Sequence, residues 1–140
     1  MKNESQIDGI LLAGQPTDDE LRGLKDRGIA MVINNRPAEE FAEPERPKIP
    51  AGIEYVDVPF TSATLAPEHV ARTRDALRAA KGTVLAHCAG GTRSATVVAA
   101  AQAEDAGEGL EGALRRIREA GFDVEGTPYG AFLQRYFEAK

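Results

Sequence analysis

The hydrophobic positions of this chain alternate between short apolar segments and longer stripes at helical spacing. Short segments that are bounded by Gly, Pro, Asn or a polar loop are typical of buried β-strands. Four such segments predict strands, over residues 10–13, 30–33, 53–60 and 83–87. Between the second and third of them, residues 37–52 hold four prolines and four glutamates, which predicts a long surface loop.

Apolar residues at spacings of three and four predict helices in most of the remaining chain. The predicted helices cover residues 17–28, 67–82, 94–106 and 110–120, with a last one from residue 128. Thr17 and Glu20 form the pattern of a capping box at the first helix. The order of elements predicts a single α/β domain over residues 1–140, with a mostly parallel central sheet flanked by helices.

Composition narrows the possible partners and compartments. A chain of 140 residues can bury a core without a disulfide or metal, and no pattern in it implies a metal or an organic cofactor. The net charge of −5 argues against nucleic-acid binding. No apolar run is long enough to span a membrane, and the polar start lacks a signal peptide, so we expect a cytoplasmic protein. The oligomeric state is not determined by these features.

The lone cysteine has two interpretations. Cys88 cannot form an internal disulfide, and no zinc-type spacing surrounds it. A single thiol of this kind is either an inert core residue or a reactive nucleophile. Its sequence context separates the two.

That context is a short loop between a predicted buried strand and a predicted helix. It reads His87-Cys88-Ala89-Gly90-Gly91-Thr92-Arg93-Ser94. Adjacent glycines allow successive backbone amides to point inward and bind an anion, and the following helix N-terminus adds its positive end. The same field favours the thiolate of Cys88. Arg93 offers a planar fork for two oxygens, and Ser94 offers a hydroxyl to the sulfur. The alternative is that Cys88 is packed in the core, Gly90-Gly91 is a simple turn and Arg93 is solvated. It explains each feature separately but not their combination.

The order His-Cys, glycines, Arg-Ser resembles the phosphate loop of the cysteine-dependent protein phosphatases. Upstream, Gly14-Gln15-Pro16-Thr17 and the stretch from Met31 to Pro37 resemble one bacterial branch, the phosphatase-like domain of the β-lactamase hydrolase-like proteins. The similarity covers roughly residues 8 to 110, and three separated motifs occur in the family's order.

The resemblance implies a fold like that of the dual-specificity phosphatases, and a hydrolase that acts on a phosphate monoester. Cys88 would be the nucleophile and form a phosphocysteine, and Arg93 would hold phosphoryl oxygens. Little covalent work remains for the protein beyond positioning and charge stabilisation. The substrate-binding residues implied by the resemblance are Ala89, Gly90, Gly91, Thr92 and Ser94, with His87 in support.

The length of the loop departs from the phosphatase pattern. Four residues separate Cys88 from Arg93, whereas the phosphatase signature has five and the rhodanese-type sulfurtransferases have four. A sulfurtransferase or persulfide carrier that uses Cys88 is therefore the second hypothesis. Relatives fused to a metallo-β-lactamase-like partner linked to persulfide oxidation also keep sulfur chemistry open. A non-catalytic module that binds oxyanions is the third.

The general acid is the second departure. Where related phosphatases carry an aspartate after Pro59-Phe60, this chain has Thr61-Ser62. Asp57 is the nearest carboxylate and therefore the candidate acid, and its alternative is a solvated strand residue.

Two further side chains are candidates for the site. Arg36 follows a predicted strand and could bind a second anionic group of the substrate, or it could pair with Glu39 or Glu40. Gln15 is predicted to support a loop near the site by hydrogen bonding. His69, in the first turn of its helix, is expected at the surface.

Overall fold

The computed structural model describes residues 1–140 and contains five strands and five α-helices. The strands are β1 (Ser5–Ile7), β2 (Ile10–Ala13), β3 (Ile29–Asn34), β4 (Glu54–Asp57) and β5 (Thr83–His87). The helices are α1 (Asp18–Arg22), α2 (Pro67–Ala79), α3 (Thr92–Ala106), α4 (Gly109–Glu119) and α5 (Pro128–Glu138). None of the helices has the length and apolar content that crossing a membrane requires.

The strands form one sheet in the order β1-β2-β5-β3-β4. The β1–β2 hairpin is antiparallel, and every other pair is parallel. In register, Asn34 lies opposite both His87 and Asp57. The ends of β5, β3 and β4 therefore form a row at the carboxyl edge, where open α/β sheets place their sites.

Two hydrophobic clusters cover the opposite faces of the sheet. The larger joins alternate strand residues such as Leu12 and Ile33 to the four helices α2–α5. The smaller joins the intervening residues, such as Val32 and Leu85, to Leu21 of α1 and its neighbours. Because side chains alternate along a strand, His87 shares the face of Leu85 and points toward the α1 side.

The predicted α/β class with a mostly parallel sheet is confirmed. Strand β5 has the predicted bounds, and the Thr17–Glu20 capping box is present. The helix predicted over 17–28 instead ends at Arg22 and is followed by a single 3₁₀ turn, Lys25–Arg27. The polar strand β1 has no hydrophobic pattern and was not predicted, since it forms by pairing with β2.

Two other predictions need correction. The strand predicted over 53–60 begins at Glu54 and ends at Asp57, because its partner β3 ends opposite it at Asn34. The amides of Val58 and Phe60 still bond to the carbonyls of Asn34 and Asn35. His69 is 7% exposed and not a surface residue. Its Nδ1 accepts the Ala66 amide at 3.0 Å and so caps α2.

Candidate active site

The cysteine loop, defined here as residues 87–94, joins β5 to α3. Gly91 has φ +103°, and a Cβ there would lie 2.8 Å from Cζ of Phe122, so glycine is required at this position. Cys88 is 1% exposed but belongs to neither hydrophobic cluster. Its Sγ accepts a hydrogen bond from the Gly91 amide at 3.1 Å. The sulfur thus lies at the floor of a backbone-lined cup.

The carbonyl groups of the cysteine loop bond to neighbouring segments. The Gln15 amide donates to the Ala89 carbonyl at 3.1 Å, and the Asn3 side chain donates to the Gly90 carbonyl at 2.9 Å. A Cβ at Gly14 would lie 2.8 Å from the same Ala89 oxygen, so the close approach of these two backbones depends on glycine. With its carbonyls held in this way, the loop keeps its amides available for another acceptor.

Five of those amides donate to no protein group. Apart from the Gly91 bond to sulfur, no hydrogen bond uses the backbone N–H of the loop residues that follow Cys88. The five are Ala89, Gly90, Thr92, Arg93 and Ser94. Three of them form the first turn of α3, so the positive end of the helix dipole adds to the cup. Amides arranged in this way can bind the oxygens of an anion above the sulfur.

Arg93 is held at the cup by a carboxylate that the sequence did not identify. Its two terminal nitrogens bond to the two oxygens of Glu40, at 2.9 and 3.0 Å, and one of them also bonds to the Phe60 carbonyl at 3.2 Å. Of the five guanidinium hydrogens, these contacts leave the Nε hydrogen and one terminal hydrogen. Glu40 therefore binds the two terminal nitrogens of the guanidinium. The side edge of the group, formed by the Nε hydrogen and the remaining terminal hydrogen, stays available for a ligand.

Two arginines, Arg93 and Arg36, stabilise the charge of the Glu40 carboxylate. The bond from Arg93 lowers the pKa of Glu40; burial opposes this effect, and Arg36 adds to it. Glu40 lies in the long loop at no diagnostic position, and no sequence signal connects it to Arg93. Tyr129 packs against the larger hydrophobic cluster, as its helical spacing with the other aromatic residues of α5 predicts. Burial raises the pKa of its phenol, and the positive charge of Arg93 opposes this effect.

Ser94 does not donate to the sulfur, which corrects one sequence prediction. Its hydroxyl donates to Oδ1 of Asn35 at 2.6 Å, and a hydroxyl has a single hydrogen to give. The Asn35 amide in turn donates to the Val58 carbonyl at 3.0 Å. The Ser94 side chain therefore anchors the start of α3 to Asn35 after β3, and Asn35 extends the connection to the segment after β4.

His87 and Gln15 meet at a buried carboxylate. His87 is fully buried, and its Nε2 lies 2.7 Å from Oε1 of Glu45. Tyr55 donates to the same oxygen at 3.0 Å, and Gln15 donates to the other. Burial raises the pKa of Glu45, but the bonds from His87, Gln15 and Tyr55 outweigh it and hold the pKa below its usual value. The loop-supporting contact predicted for Gln15 is present.

Arg36 adopts its alternative interpretation. Its Nε bonds to Glu40 at 3.1 Å, and its terminal nitrogens bond to Gln15 and to the Glu40 carbonyl. The guanidinium also lies over the Phe41 ring, 4.4 Å from the centroid. These contacts use one hydrogen of each guanidinium nitrogen and hold Arg36 against the long loop. The role predicted for it as a second anchor for the substrate stays a prediction.

Asp57 lies apart from the cup. Its carboxylate contacts the Asn34 amide and Arg46, both at 3.4 Å, and makes no hydrogen bond or ion pair with the cysteine loop. It lines a cavity of about 260 Å³ together with Phe41 and Tyr55, and neither Cys88 nor Arg93 lines that cavity. Residues 61–64 follow the Pro59-Phe60 pair after which related phosphatases carry an acidic aspartate, and they contain no carboxylate.

The sequence motifs and this geometry agree with a match to a known family. The model of the phosphatase-like domain of the beta-lactamase hydrolase-like proteins matches residues 8–106. The chain belongs to this family. A beta-lactamase hydrolase-like protein of Agrobacterium fabrum is 30% identical over 113 residues, which cover 76% of this chain and 25% of the relative. The chain thus corresponds to about a quarter of that protein's length.

Solved structures match the phosphatase-like domain along nearly its whole length. A candidate phosphatase from Neisseria meningitidis has a TM-score of 0.77 at 24% identity and covers 100% of both chains. A variant of P. aeruginosa TpbA in complex with phosphotyrosine has a TM-score of 0.66 at 16% identity, and covers 96% of this chain and 90% of that one. These matches confirm the predicted cysteine-phosphatase-like fold of the domain.

Proposed function

We propose that this phosphatase-like domain hydrolyses a phosphate monoester through a phosphocysteine on Cys88. The observation that carries the proposal is the set of five backbone amides without a protein acceptor around the buried sulfur, beside the unused edge of Arg93. Together they offer donors to the three non-bridging oxygens of a phosphoryl group. The family and the fold, which the domain shares with phosphatases, support the same chemistry.

The reaction has two displacement steps. The thiolate of Cys88 attacks phosphorus, an S–P bond forms, and the bond between phosphorus and the ester oxygen breaks. Water then attacks the phosphocysteine, the S–P bond breaks, and inorganic phosphate leaves with the thiolate restored. In both steps charge shifts onto oxygens that the loop amides and Arg93 face, so the stabilisation is greatest in the transition states.

The surroundings of the cup favour a substrate with a stable leaving group. With no carboxylate in residues 61–64 and Asp57 bonded elsewhere, no acidic side chain of these segments protonates the leaving oxygen. A phenolate leaves without such help far better than an alkoxide does, because a phenol has a pKa of about 10. The phosphotyrosine complex of the structural neighbour TpbA supports an aryl phosphate as substrate.

Turnover of an aryl phosphate tests the proposal. The wild type should release the phenol, and Cys88→Ser should abolish the release because the hydroxyl is a much weaker nucleophile. Arg93→Lys should lower kcat/KM by about 100-fold or more, since an ammonium cannot reproduce the fork. Arg115→Lys, on an exposed face of α4, is the matched control and should retain activity. A folded wild type that binds phosphate without turnover would make the domain an oxyanion-binding module.

Sulfur transfer is the second candidate, and the spacing of four residues between Cys88 and Arg93 favours it. In this reaction the thiolate attacks the outer sulfur of thiosulfate, sulfite leaves, and cyanide removes the sulfur as thiocyanate. Such a transfer needs no general acid, which agrees with residues 61–64. Thiocyanate formation, with the mass of one sulfur added to Cys88 in the absence of cyanide, would establish it over phosphate hydrolysis.

A further inference from the structure

A single buried carboxylate holds the long loop, defined here as residues 37–52, against the sheet. Between residues 38 and 52 only Glu45 is buried, at 4% exposed. Burying a carboxylate is costly unless its oxygens accept hydrogen bonds. Glu45 accepts three, from His87 at the end of β5, from Tyr55 on β4, and from Gln15 in the turn after β2.

The contacts of Glu45 continue into a ring of hydrogen bonds that returns to the cysteine loop. Gln15 accepts from Arg36 at 3.0 Å, and Arg36 donates to Glu40 at 3.1 Å. Glu40 holds both terminal nitrogens of Arg93. The series of hydrogen bonds therefore runs from His87, the residue before Cys88, to Arg93. Both residues belong to the cysteine loop, whose backbone closes the series into a ring.

Donors and acceptors can be placed around this ring in only one order. The carboxylate of Glu45 only accepts hydrogen bonds, so Nε2 of His87 carries a hydrogen and donates it to Glu45. Gln15 must accept from Arg36, which has only donors, and its amide nitrogen therefore faces Glu45. This order requires two acceptor atoms at position 45, one toward His87 and Tyr55 and one toward Gln15. A carboxylate supplies both, whereas a carboxamide has a single acceptor oxygen.

We infer that Glu45 is a positioning residue for Arg93. Through Gln15, Arg36 and Glu40 it fixes the side edge of the guanidinium toward the cup. The inference rests on the proposed function only for the identity of the anion, since the ring itself is independent of turnover. The long loop therefore contributes to oxyanion binding through Glu45, although Glu45 does not contact the anion.

The variant Glu45→Gln changes one atom and breaks the ring at a defined bond. If its oxygen keeps the bonds from His87 and Tyr55, its new amide nitrogen faces the side-chain amide nitrogen of Gln15. If Gln15 rotates to accept, its NH2 group is turned toward the donors of Arg36 instead. Inorganic phosphate should then protect Cys88 from iodoacetamide about 10- to 100-fold less well, the size of one hydrogen bond to a charged group. The NMR relaxation of the Arg93 Nε–H should show a more mobile side chain. Glu43→Gln, at an exposed residue of the same loop, is the control and should change neither reading.

A double variant separates positioning from general damage to the fold. Gln15→Glu combined with Glu45→Gln exchanges the amide and the carboxylate, so every bond of the ring can form again with one polarity reversed. Phosphate protection and Arg93 order should both return. The inference is overturned if folded E45Q keeps wild-type protection and Arg93 order, or if the folded double variant restores neither. Absence of turnover in the wild type, with the Arg93 signal of the variants responding as expected, would reject only the phosphatase proposal.

Discussion

The cysteine loop and the long loop meet at Arg93 but are built by different means. The cysteine loop is shaped by backbone hydrogen bonds, among them the Cys88 amide to the Ala13 carbonyl and the Asn35 amide to the His87 carbonyl. The long loop is fixed to the site by side chains, above all by the carboxylates of Glu40 and Glu45. The first region depends on chain geometry, the second on charge.

This difference predicts how each region responds to pH. Backbone bonds do not titrate in the ordinary range, so the cysteine loop keeps its shape as pH falls. The folded-state pKa values of Glu40 and Glu45 are lowered. Their stabilising contribution is therefore present above the pKa of an unfolded glutamate and is lost as pH falls through the lowered values. The long loop should be the first of the two to loosen in acid.

The substitution Gly91→Ala in the cysteine loop is expected to have the largest effect, which is on the free energy of unfolding. The left-handed backbone and the clash with Phe122 should together cost about 3 kcal/mol of unfolding free energy. Gly90→Ala is the matched control, since a Cβ there meets nothing within 4 Å and should change stability by less than about 0.5 kcal/mol. Urea unfolding measures both. Equal stability of the two variants would contradict a cysteine loop shaped by its backbone.

The same contrast explains what could be predicted from sequence. Gly90-Gly91 between a strand and a helix is a local pattern, and the turn that it predicts between β5 and α3 is present. Glu40 and Glu45 are two of four glutamates in one loop, and their partners lie 53 and 42 residues away along the chain. Nothing local distinguishes them from Glu39 or Glu43. The prediction that the Ser94 hydroxyl donates to the sulfur was wrong for a related reason, since its acceptor, Asn35, lies 59 residues away along the chain.

A smaller effect is expected from Glu40→Gln, which tests the charged side of the comparison. The carboxamide accepts on one atom only and turns a second donor toward Arg93, so kcat/KM for an aryl phosphate should fall about tenfold. Glu39→Gln, the exposed neighbour, is the control. The ratio of wild type to variant should narrow as pH drops through the lowered pKa of Glu40. A gain in phosphate affinity instead would mean that Glu40 competes with the substrate for Arg93.

The smallest effect is expected from Asp57→Asn, because that carboxylate contacts Arg46 and Asn34 and not the cysteine loop. We expect kcat/KM to change by less than about threefold, as for a surface ion pair. The informative measurement is the dependence of rate on leaving-group pKa across a series of aryl phosphates. A general acid flattens that dependence, so its removal must steepen it. If Asp57→Asn costs tenfold or more and steepens the series, Asp57 reaches the leaving group in the complex, and the long-loop side of the molecule supplies a proton as well as orientation.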